Sequence, residues 1–457
     1  MPSTPEPGRV QRVAIDSAEL SAFVDSIVRR EMAAQHILGA AFVYVSRGRV
    51  IYRKGYGVAN ADRNTPVDPD STLFRIGSIS KLVTATALVQ LADRGRIALD
   101  ADVNRYLRTV TVPHSFPAPV TPAHLLTHTA GFDEIRPGTQ ADAETNVVSL
   151  GDFLRSRLVR VRPPGSILEY STYGITLAGL LIEQVSGLPF EEYLRANIWR
   201  PLGMTRTGIA LAPALRAHLA AGYEFANGRF VEQRYEWYHT TPASAVNATP
   251  SDMGRFLLAH LGDGAIGSAR ILSASAARDM RETHARGHPD VPGMAYGFFE
   301  ADYGGVRIVE HFGAVAGVTS ALVLFPDDGS GFFVASHGES STLRDSVKLA
   351  IVRRYHARPT VPPPAMALSA EEAARFVGTY RWNAYCHACG RPAPTRGPRV
   401  DHNADGTLSF AGQRWTRTGP FLFHRIDGAR TLGFRADSAG RITHLFIDGP
   451  LTFEHVF

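Results

Sequence analysis

The chain has 457 residues, of which 44% are hydrophobic and 20% are charged. This ordinary globular composition excludes a protein that is disordered, collagen-like or coiled-coil as a whole. The formal net charge is +5 and the basic residues form no cluster, which argues against nucleic acid as a partner because phosphate binding needs clustered charge. No apolar run approaches the roughly 18 to 20 residues that a membrane span requires.

Residues 1–18 contain prolines and scattered charges, and we expect them to form a loose leader. A cleaved export signal places basic residues before an apolar stretch and then small residues, and this order is not found from Met1 to Ser17. We therefore expect a cytoplasmic protein, unless the sequence is already processed.

Helical and strand-like patterns follow one another from residue 20 to residue 355. Helices are predicted where apolar residues recur every three or four positions, at 20–35, 78–94, 173–187, 190–198, 252–260 and 341–355. A shorter helix is predicted after the cap Thr121 and the first-turn proline Pro122. Strands are predicted at 41–45, 50–57, 306–310, 319–325 and 331–336. This succession predicts a large mixed α/β body.

The composition changes after residue 357. Pro359 to Pro364 is a stiff, proline-rich spacer of the kind that lies between domains. Short alternating segments with Asp-Gly turns between them then predict strands at 379–380, 408–410, 421–423, 431–434 and 444–447. We predict a small antiparallel barrel or sandwich. The predicted division is a leader at 1–18, a body at 19–357, a linker at 358–368 and a β-rich part at 369–457.

Lysine is rare in this chain. Only Lys54, Lys81 and Lys348 occur, so nearly all of the 48 basic residues are arginine. Arginine stays protonated in proteins, whereas an amine loses its proton when it is buried or placed near other cations. A general base must therefore be sought among the three lysines.

Lys81 follows Ser78 by three residues at the start of a predicted helix. Residues three apart share a helix face, so the amine can reach the hydroxyl oxygen, and the helix N-terminus favours the negative charge that develops there. A serine hydroxyl becomes a good nucleophile when a neighbouring base takes its proton. Ser80 is the competing nucleophile, but it faces away from Lys81.

Further motifs accompany this pair along the chain. In order they are Leu125 to Gly131, Pro164-Gly165, Tyr170-Ser171-Thr172, Gly179 to Glu183, Pro201 to Met204 and His311-Phe312-Gly313. Together with Ser-x-x-Lys at Ser78, they resemble the penicillin-recognising serine enzymes between about residues 20 and 356. The branch that they resemble is the class C β-lactamase-like one, which includes esterases, D-aminopeptidases, acyltransferases and peptide cyclases.

The resemblance implies an α+β fold of the β-lactamase/transpeptidase type, with an antiparallel sheet flanked by helices and an all-helical subdomain. It also implies roles for residues: Ser78 is the nucleophile, Lys81 its base, and Tyr170 relays protons to the leaving group. A phenol accepts a proton near neutral pH only with two cations nearby, and Lys81 and His311 are expected to supply them. His311 is expected on an edge strand that lines the cleft.

The resemblance further implies an oxyanion hole made by the backbone amides of Ser78 and Ala314. Gly313 suits a strand that substrate backbone approaches closely. One position departs from the family, because Thr172 stands where an asparagine is usual. A hydroxyl has no amide with which to grip a substrate amide, which favours esters or activated acyl groups as substrates.

The sequence thus predicts a serine hydrolase or acyltransferase that acts through an acyl-serine on a small ester or amide, without a metal or cofactor. An alternative within the family is a peptidase or peptide cyclase with a preference for D-residues, since the β-rich part resembles the lipocalin-like domains of some such enzymes. An alternative of another class is a non-catalytic binding protein on a degenerate fold. The departure at Thr172 from the usual asparagine suggests this alternative. A small molecule or peptide is the expected partner, with self-association as a possibility and no membrane partner.

Other residues have interpretations that do not involve catalysis. His128 is assigned to backbone hydrogen bonding, and the aromatics Phe132, Tyr223 and Tyr296 are either cleft residues or simply packed. The only two cysteines, Cys386 and Cys389, are expected to be unpaired or locally bridged. A zinc site that adds His387 and His402 is a weaker alternative, since one Cys-x-x-Cys supplies only two thiolates.

Overall fold

The computed structural model describes residues 15–135, 137–357, 363–390, 393–427, 430–449 and 451–457. Most of the predicted leader, the start of the proline-rich spacer at 358–362 and Gly428 of one predicted turn lie outside the described residues. Within these ranges, no helix has the length and apolar character needed to cross a membrane.

Each of the seven predicted helices is present, and six further short helices of the described residues were not predicted. Within the described ranges the α-helices span Ser17–Ala34, Ser80–Asp93, Pro122–Leu126, Leu150–Leu154, Thr172–Ser186, Phe190–Leu194, Arg200–Leu202, Pro213–Arg216, Thr241–Ser244, Pro250–Leu261, Ala274–Asp279, Thr342–Ile351 and Ala370–Ala373. Two π-helical segments, Arg195–Trp199 and Val352–His356, continue predicted helices. Local chemistry sets the ends: the Ser171 hydroxyl accepts the Gly174 amide at the start of Thr172–Ser186, and Gly187 ends it with φ of 80°.

The body is built around an antiparallel sheet of seven strands. Their order across the sheet is Phe299–Asp302, Arg307–Val315, Val318–Phe325, Ser330–His337, Gly39–Ser46, Arg49–Asn60 and Thr65–Pro66. Shorter strands outside it span Phe74–Arg75, Gln140–Ala141, Thr207–Gly208, Gly222–Ala226, Arg229–Gln233, Trp237–Tyr238, Asn247–Ala248, Ala265–Ile266 and Ala269–Arg270. The edge strand Phe299–Asp302 was not predicted from the sequence.

Both faces of the sheet are covered by helices. Every residue of Val318–Phe325 is buried, as expected for a strand with apolar contacts on each side. Helices Ser17–Ala34 and Thr342–Ile351 pack on one face, while Ser80–Asp93 and Thr172–Ser186 belong to the larger core on the other. An antiparallel sheet flanked by helices is the arrangement that the resemblance implied.

The C-terminal part forms a closed barrel of eight antiparallel strands. They span Gly378–Trp382, Arg399–His402, Leu408–Phe410, Gln413–Gly419, Leu422–Arg425, Thr431–Ala436, Ile442–Ile447 and Leu451–Val456. The sequence pattern missed Arg399–His402, Gln413–Gly419 and Leu451–Val456. The amount of burial does not explain the difference, because the predicted strands Gly378–Trp382 and Leu422–Arg425 also have one buried residue each.

Cys386 and Cys389 are joined by a disulfide, so the local bridge is the alternative that the structure contains. Their sulfurs are then not available as the thiolates that the zinc alternative needs. The disulfide closes a short loop on the barrel, immediately after Gly378–Trp382.

A buried histidine at the end of Ser330–His337 predicts acid-sensitive stability. Neither ring nitrogen of His337 has a hydrogen-bond partner among the described residues, and burial lowers its pKa from 6.5 to about 4. As pH falls below 6.5, the His337 ring becomes protonated in the unfolded state but stays neutral in the folded state. We expect this residue to remove about 3 kcal/mol of the free energy of unfolding by pH 4.

The test is denaturant unfolding of the wild type and of His337→Phe between pH 7 and pH 4. The variant should lose less stability across this range, because phenylalanine does not titrate beside Phe74 and Tyr223, the ring neighbours of His337. His218→Phe, at an exposed position, should leave the slope unchanged. Equal slopes in His337→Phe and the wild type would contradict the prediction.

Candidate active site

The turn that carries Ser78 precedes a buried helix. Gly77–Ile79 forms a 3₁₀ turn that leads directly into Ser80–Asp93. Gly77 has φ of 53°, a conformation that glycine adopts without strain. This geometry leaves Ser78 half-buried at the surface of a cavity while Lys81 is buried below it.

The amine of Lys81 lies within hydrogen-bonding distance of the Ser78 hydroxyl. Lys81 Nζ is 3.1 Å from Ser78 Oγ, donates to the Ala243 carbonyl at 3.0 Å, and lies 4.8 Å from the centroid of the Tyr170 ring. The side chain is 1% exposed. An amine in this position can exchange a proton with the serine hydroxyl.

The other two lysines have different surroundings. Lys54 forms an ion pair with Asp25, and buried Lys348 forms one with Glu310, at 2.9 Å to each carboxylate oxygen. A carboxylate at this distance favours the charged amine, and the pKa of Lys348 is raised accordingly. Of the three lysines, Lys81 is the one that the structure brings to a serine.

The hydroxyl of Ser80 is hydrogen-bonded to the backbone. Its hydroxyl donates to the Gly77 carbonyl at 2.6 Å and accepts the Val246 amide at 3.1 Å, and the residue is fully buried. It therefore stabilises the turn that presents Ser78.

Tyr170 is held next to Lys81 by aromatic contacts. Its ring centroid lies 4.7 Å from that of His128 and 6.0 Å from that of Phe299. His128 Nδ1 accepts the Ser171 amide at 3.0 Å, which is the backbone role expected from the sequence. His128 thus fixes the segment that carries Tyr170 and Thr172.

His311 does not provide the second cation that the sequence predicted. It is fully buried, and burial together with the nearby charge of Lys81 keeps its pKa well below the usual 6.5. Nδ1 lies 2.9 Å from the Phe312 carbonyl, so Nδ1 carries a proton and donates it to this oxygen. Its ring packs against Phe299, with 4.3 Å between centroids, and is not among the residues that line the cavity. His311 is therefore uncharged because burial removes water from the ring, which penalises the charged imidazole.

The strand that carries His311 is at the sheet edge for half of its length. Residues 307–310 pair with Phe299–Asp302, whereas His311–Val315 pairs on one side only, with residues 318–322. The Gly313 and Ala314 backbone therefore faces the turn that carries Ser78 and lines the cavity.

Two glycines allow this strand to approach that turn. A Cβ added at Gly313 would lie 2.0 Å from the Ile76 carbonyl oxygen, and one added at Gly77 would lie 2.9 Å from the Ala314 amide nitrogen. The two backbones are thus in direct contact, and no larger residue fits without displacing one of them. This contact brings the backbone of Ala314 beside the turn that carries Ser78, as an oxyanion hole requires.

A cavity of about 490 Å³ opens above Ser78. Of the residues predicted for the site, it is lined by Ser78, Lys81, Tyr170, Thr172, Gly313 and Ala314. The sequence analysis missed other lining residues, among them Glu134, Tyr238, Phe299, Phe312, Arg344, Trp382 and Leu451. Phe312 lies inside the His311-Phe312-Gly313 motif, which could have pointed to it, whereas the others come from segments without a motif that only folding brings here.

Glu134 is the acidic residue in the cavity wall. Its carboxylate accepts the Ser171 hydroxyl at 2.6 Å and the Tyr173 amide at 3.1 Å, and burial raises its pKa. These bonds attach the wall to the start of helix Thr172–Ser186, next to Thr172.

The aromatics considered as cleft residues are packed instead. Tyr223 donates to Glu232 and accepts the Ala61 amide, and Tyr296 stacks on His284 with 3.6 Å between centroids. Phe132 is 1% exposed in the large core. None of the three lines the cavity over Ser78.

Comparison with known proteins gives one family and several relatives. The family model described as beta-lactamase matches residues 24–356. Penicillin-binding protein 4 of Amycolatopsis lactamdurans is 29% identical over 325 residues, which cover 67% of this chain and 82% of that protein. Esterase EstB of Burkholderia gladioli is 31% identical over 214 residues, which cover 44% of this chain and 54% of that protein.

Protein flp of Staphylococcus aureus strain N315 is 26% identical over 319 residues, which are 69% of this chain. The match spans 62% of the length of flp. Among solved structures, the octameric penicillin-binding protein homologue from Pyrococcus abyssi has a TM-score of 0.65 at 22% identity, over 95% of this chain and 99% of that chain. SurE has a TM-score of 0.66 at 21% identity, again over 95% and 99%. Both likenesses extend over the body and the barrel.

Proposed function

The chain belongs to the beta-lactamase family, a family of serine hydrolases, and from this premise we propose that it is a hydrolase or acyltransferase that works through an acyl-enzyme on Ser78. The observation that carries the proposal is the 3.1 Å contact between Lys81 Nζ and Ser78 Oγ at the base of the cavity. The reaction is a double displacement on an ester or amide carbonyl.

In the first half, Ser78 Oγ attacks the carbonyl carbon while its proton passes to the neutral amine of Lys81. Burial of Lys81 works in the direction that this step needs, because desolvation disfavours an ammonium ion. The carbonyl oxygen becomes an oxyanion held by the backbone amides of Ser78 and Ala314. Collapse of the tetrahedral intermediate breaks the bond to the leaving group, which receives the proton through Tyr170.

In the second half, water or an amine attacks the acyl-serine and returns the proton to Ser78 by the same route. His311 is neutral, and Lys81, whose Nζ lies 4.8 Å from the centroid of the Tyr170 ring, is a cation only while it holds a proton taken from the attacking group. We therefore propose that Tyr170 acts as a phenol that passes protons along, and not as a phenolate base.

We propose esters or activated acyl groups as the substrate class. Thr172 lines the cavity where the family usually has an asparagine, and its hydroxyl offers no amide to grip a substrate amide. The relative named esterase EstB supports the same choice.

The test is mass spectrometry after incubation with a fluorophosphonate. We expect one adduct, on Ser78, in the wild type and none in Ser78→Ala, because the nucleophile is then absent. Ser80→Ala should still be labelled at Ser78. An adduct on another residue, or unchanged ester turnover in Ser78→Ala, would contradict the proposal.

A second candidate is a peptidase or peptide cyclase that acts at D-residues. The observation in its favour is that the barrel contributes to the cavity, and that the full-length likeness includes SurE, which has also been solved with D-Leu. A panel of short-chain esters and of D- and L-aminoacyl amides, each with and without an amine acceptor, separates the two candidates. Turnover of p-nitrophenyl acetate by the wild type also rejects a non-catalytic binding protein.

Assembly and location are further proposals. The likeness to an octameric homologue supports self-association, which light scattering at several concentrations tests. The Cys386–Cys389 disulfide argues against the cytoplasmic location expected from the sequence, since disulfides persist mainly in oxidising compartments. Cell fractionation decides between the two.

A further inference from the structure

The barrel closes one side of the cavity above Ser78. Two of its residues, Trp382 and Leu451, line the cavity and are called here the barrel wall. Trp382 ends strand Gly378–Trp382 with 37% of its surface exposed, although a tryptophan gains free energy on burial. The body adds further apolar lining, including Phe299 and Phe312. An apolar group of a substrate bound against these side chains would cover surface that water now contacts.

Leu451 is held in place by a turn that rests on the body. The Gly449 amide donates to the Pro292 carbonyl at 3.1 Å. Gly449 has φ of 72°, and a Cβ added to it would lie 3.1 Å from Phe299 Cβ. This turn is therefore close to Phe299, which lines the cavity, and Leu451 begins the next strand two residues later.

Trp382 is held by the residue that follows it. The Asn383 amide donates to the Thr452 carbonyl at 3.0 Å, which ties it to the last barrel strand. Its side-chain oxygen accepts Arg162 Nη2 at 2.7 Å. Arg162 belongs to the body and is itself fixed by an ion pair with buried Glu169. The end of the strand that carries Trp382 is thus tied to the body.

The disulfide loop provides a second anchor close to Trp382. Asp133 is completely buried, and its carboxylate accepts the amides of His387 and Ala388, each at 2.8 Å. Both amides lie inside the loop that the Cys386–Cys389 disulfide closes. A buried carboxylate needs such donors, and a closed loop presents them with little loss of entropy. Asp133 also precedes Glu134, which lines the cavity.

We infer that Trp382, together with Leu451, determines specificity by binding a bulky apolar group of the substrate, and that the disulfide loop is the element that positions Trp382. This inference rests on the proposed function and goes beyond it, because it assigns part of the substrate site to the barrel. The substrate class is then an ester with a long or branched hydrocarbon group, on either its acyl or its alcohol side.

The experiment measures selectivity with two matched pairs of esters. One pair is p-nitrophenyl octanoate and p-nitrophenyl acetate, and the other is octyl acetate and ethyl acetate. We expect Trp382→Ala to lower the ratio of kcat/KM for long over short esters about tenfold in at least one pair. Trp382→Phe should restore most of the ratio, because a second aromatic ring covers the same surface. Phe457→Ala, which removes an exposed aromatic of the barrel that does not line the cavity, is the matched control. Unchanged ratios in both pairs for Trp382→Ala overturn the inference.

The role of the loop is tested by a double-mutant cycle. Cys386→Ser with Cys389→Ser should lower the same ratio by several-fold in the wild type and should have no further effect in Trp382→Ala. A merely stabilising disulfide would change the melting temperature and leave the ratio unaltered, which overturns the positioning role.

A binding measurement separates failure of this inference from failure of the proposed function. Calorimetric titration of the protein with octanoate and with 1-octanol, which have no ester bond to cleave, does not depend on turnover. Trp382→Ala should weaken this binding about tenfold even if Ser78 proves not to be the nucleophile. Equal affinities with and without Trp382→Ala would show that the barrel wall does not bind the substrate's apolar group. Absence of a fluorophosphonate adduct on Ser78 would reject only the proposed chemistry.

Discussion

Replacement of Lys81 by arginine is expected to lower kcat/KM for p-nitrophenyl acetate at least about a hundredfold. Arginine keeps the positive charge and about the same reach, but its guanidinium does not give up a proton in a protein. The step that fails is therefore the removal of the proton from Ser78 Oγ, 3.1 Å from the amine in the wild type. Stopped-flow measurement of the acylation phase shows the effect directly.

The chain offers a matched control for this substitution. Lys54 carries the same side chain in an ion pair with Asp25 near the surface, and Lys54→Arg should leave kcat/KM unchanged. Thermal melting of both variants checks that each is folded. A Lys81→Arg enzyme with nearly full activity would mean that the amine is only a positive charge, and the proposed base would be wrong.

The second large effect is expected from a single methyl group at Gly313. In Gly313→Ala the new Cβ would lie 2.0 Å from the Ile76 carbonyl oxygen, so the strand or the turn that carries Ser78 must move. Displacement of Ala314 from this turn removes one proposed oxyanion donor, and loss of such a donor typically costs a factor of about 100 to 1,000 in rate. We expect fluorophosphonate labelling of Ser78 to slow by about that amount.

Gly208→Ala is the control for backbone effects. Gly208 also lies in a strand, but a Cβ there would come no closer than 3.4 Å to a neighbour. Its labelling rate should equal that of the wild type. If Gly313→Ala is folded by thermal melting and still labels Ser78 at the wild-type rate, the contact between the two backbones has no role in the oxyanion hole.

The parts of the site that the sequence predicted are those that depend on short spacing. Ser78 and Lys81 lie three residues apart at the start of a helix, so their contact follows from helix geometry once the helix is predicted. Thr172 and Tyr170 were found because they stand in an ordered set of motifs. In the barrel, short alternating segments between turns predicted five strands, whereas Arg399–His402, Gln413–Gly419 and Leu451–Val456 were missed.

The sequence did not predict those properties of the site that depend on burial or on residues from distant segments. His311 was expected to carry a charge, but full burial keeps its ring neutral, and burial is a property of the assembled fold. Glu134 and Arg344 line the cavity without any local pattern that marks them. Trp382 stands in a weak strand some three hundred residues after Ser78, and only the docked barrel brings it there.

The sequence by itself therefore determined the fold family, the helix that carries Ser78 and Lys81, and the presence of a separate β-rich part. The helix and the β-rich part follow from periodicity and spacing, which are local, whereas the fold family follows from the resemblance that the ordered motifs carry. Only the tertiary structure decided that the barrel wall closes the cavity, that the Cys386–Cys389 loop is anchored on Asp133, and that His311 is neutral. Each of these depends on contacts between residues far apart in the chain and on the exclusion of water that such contacts produce.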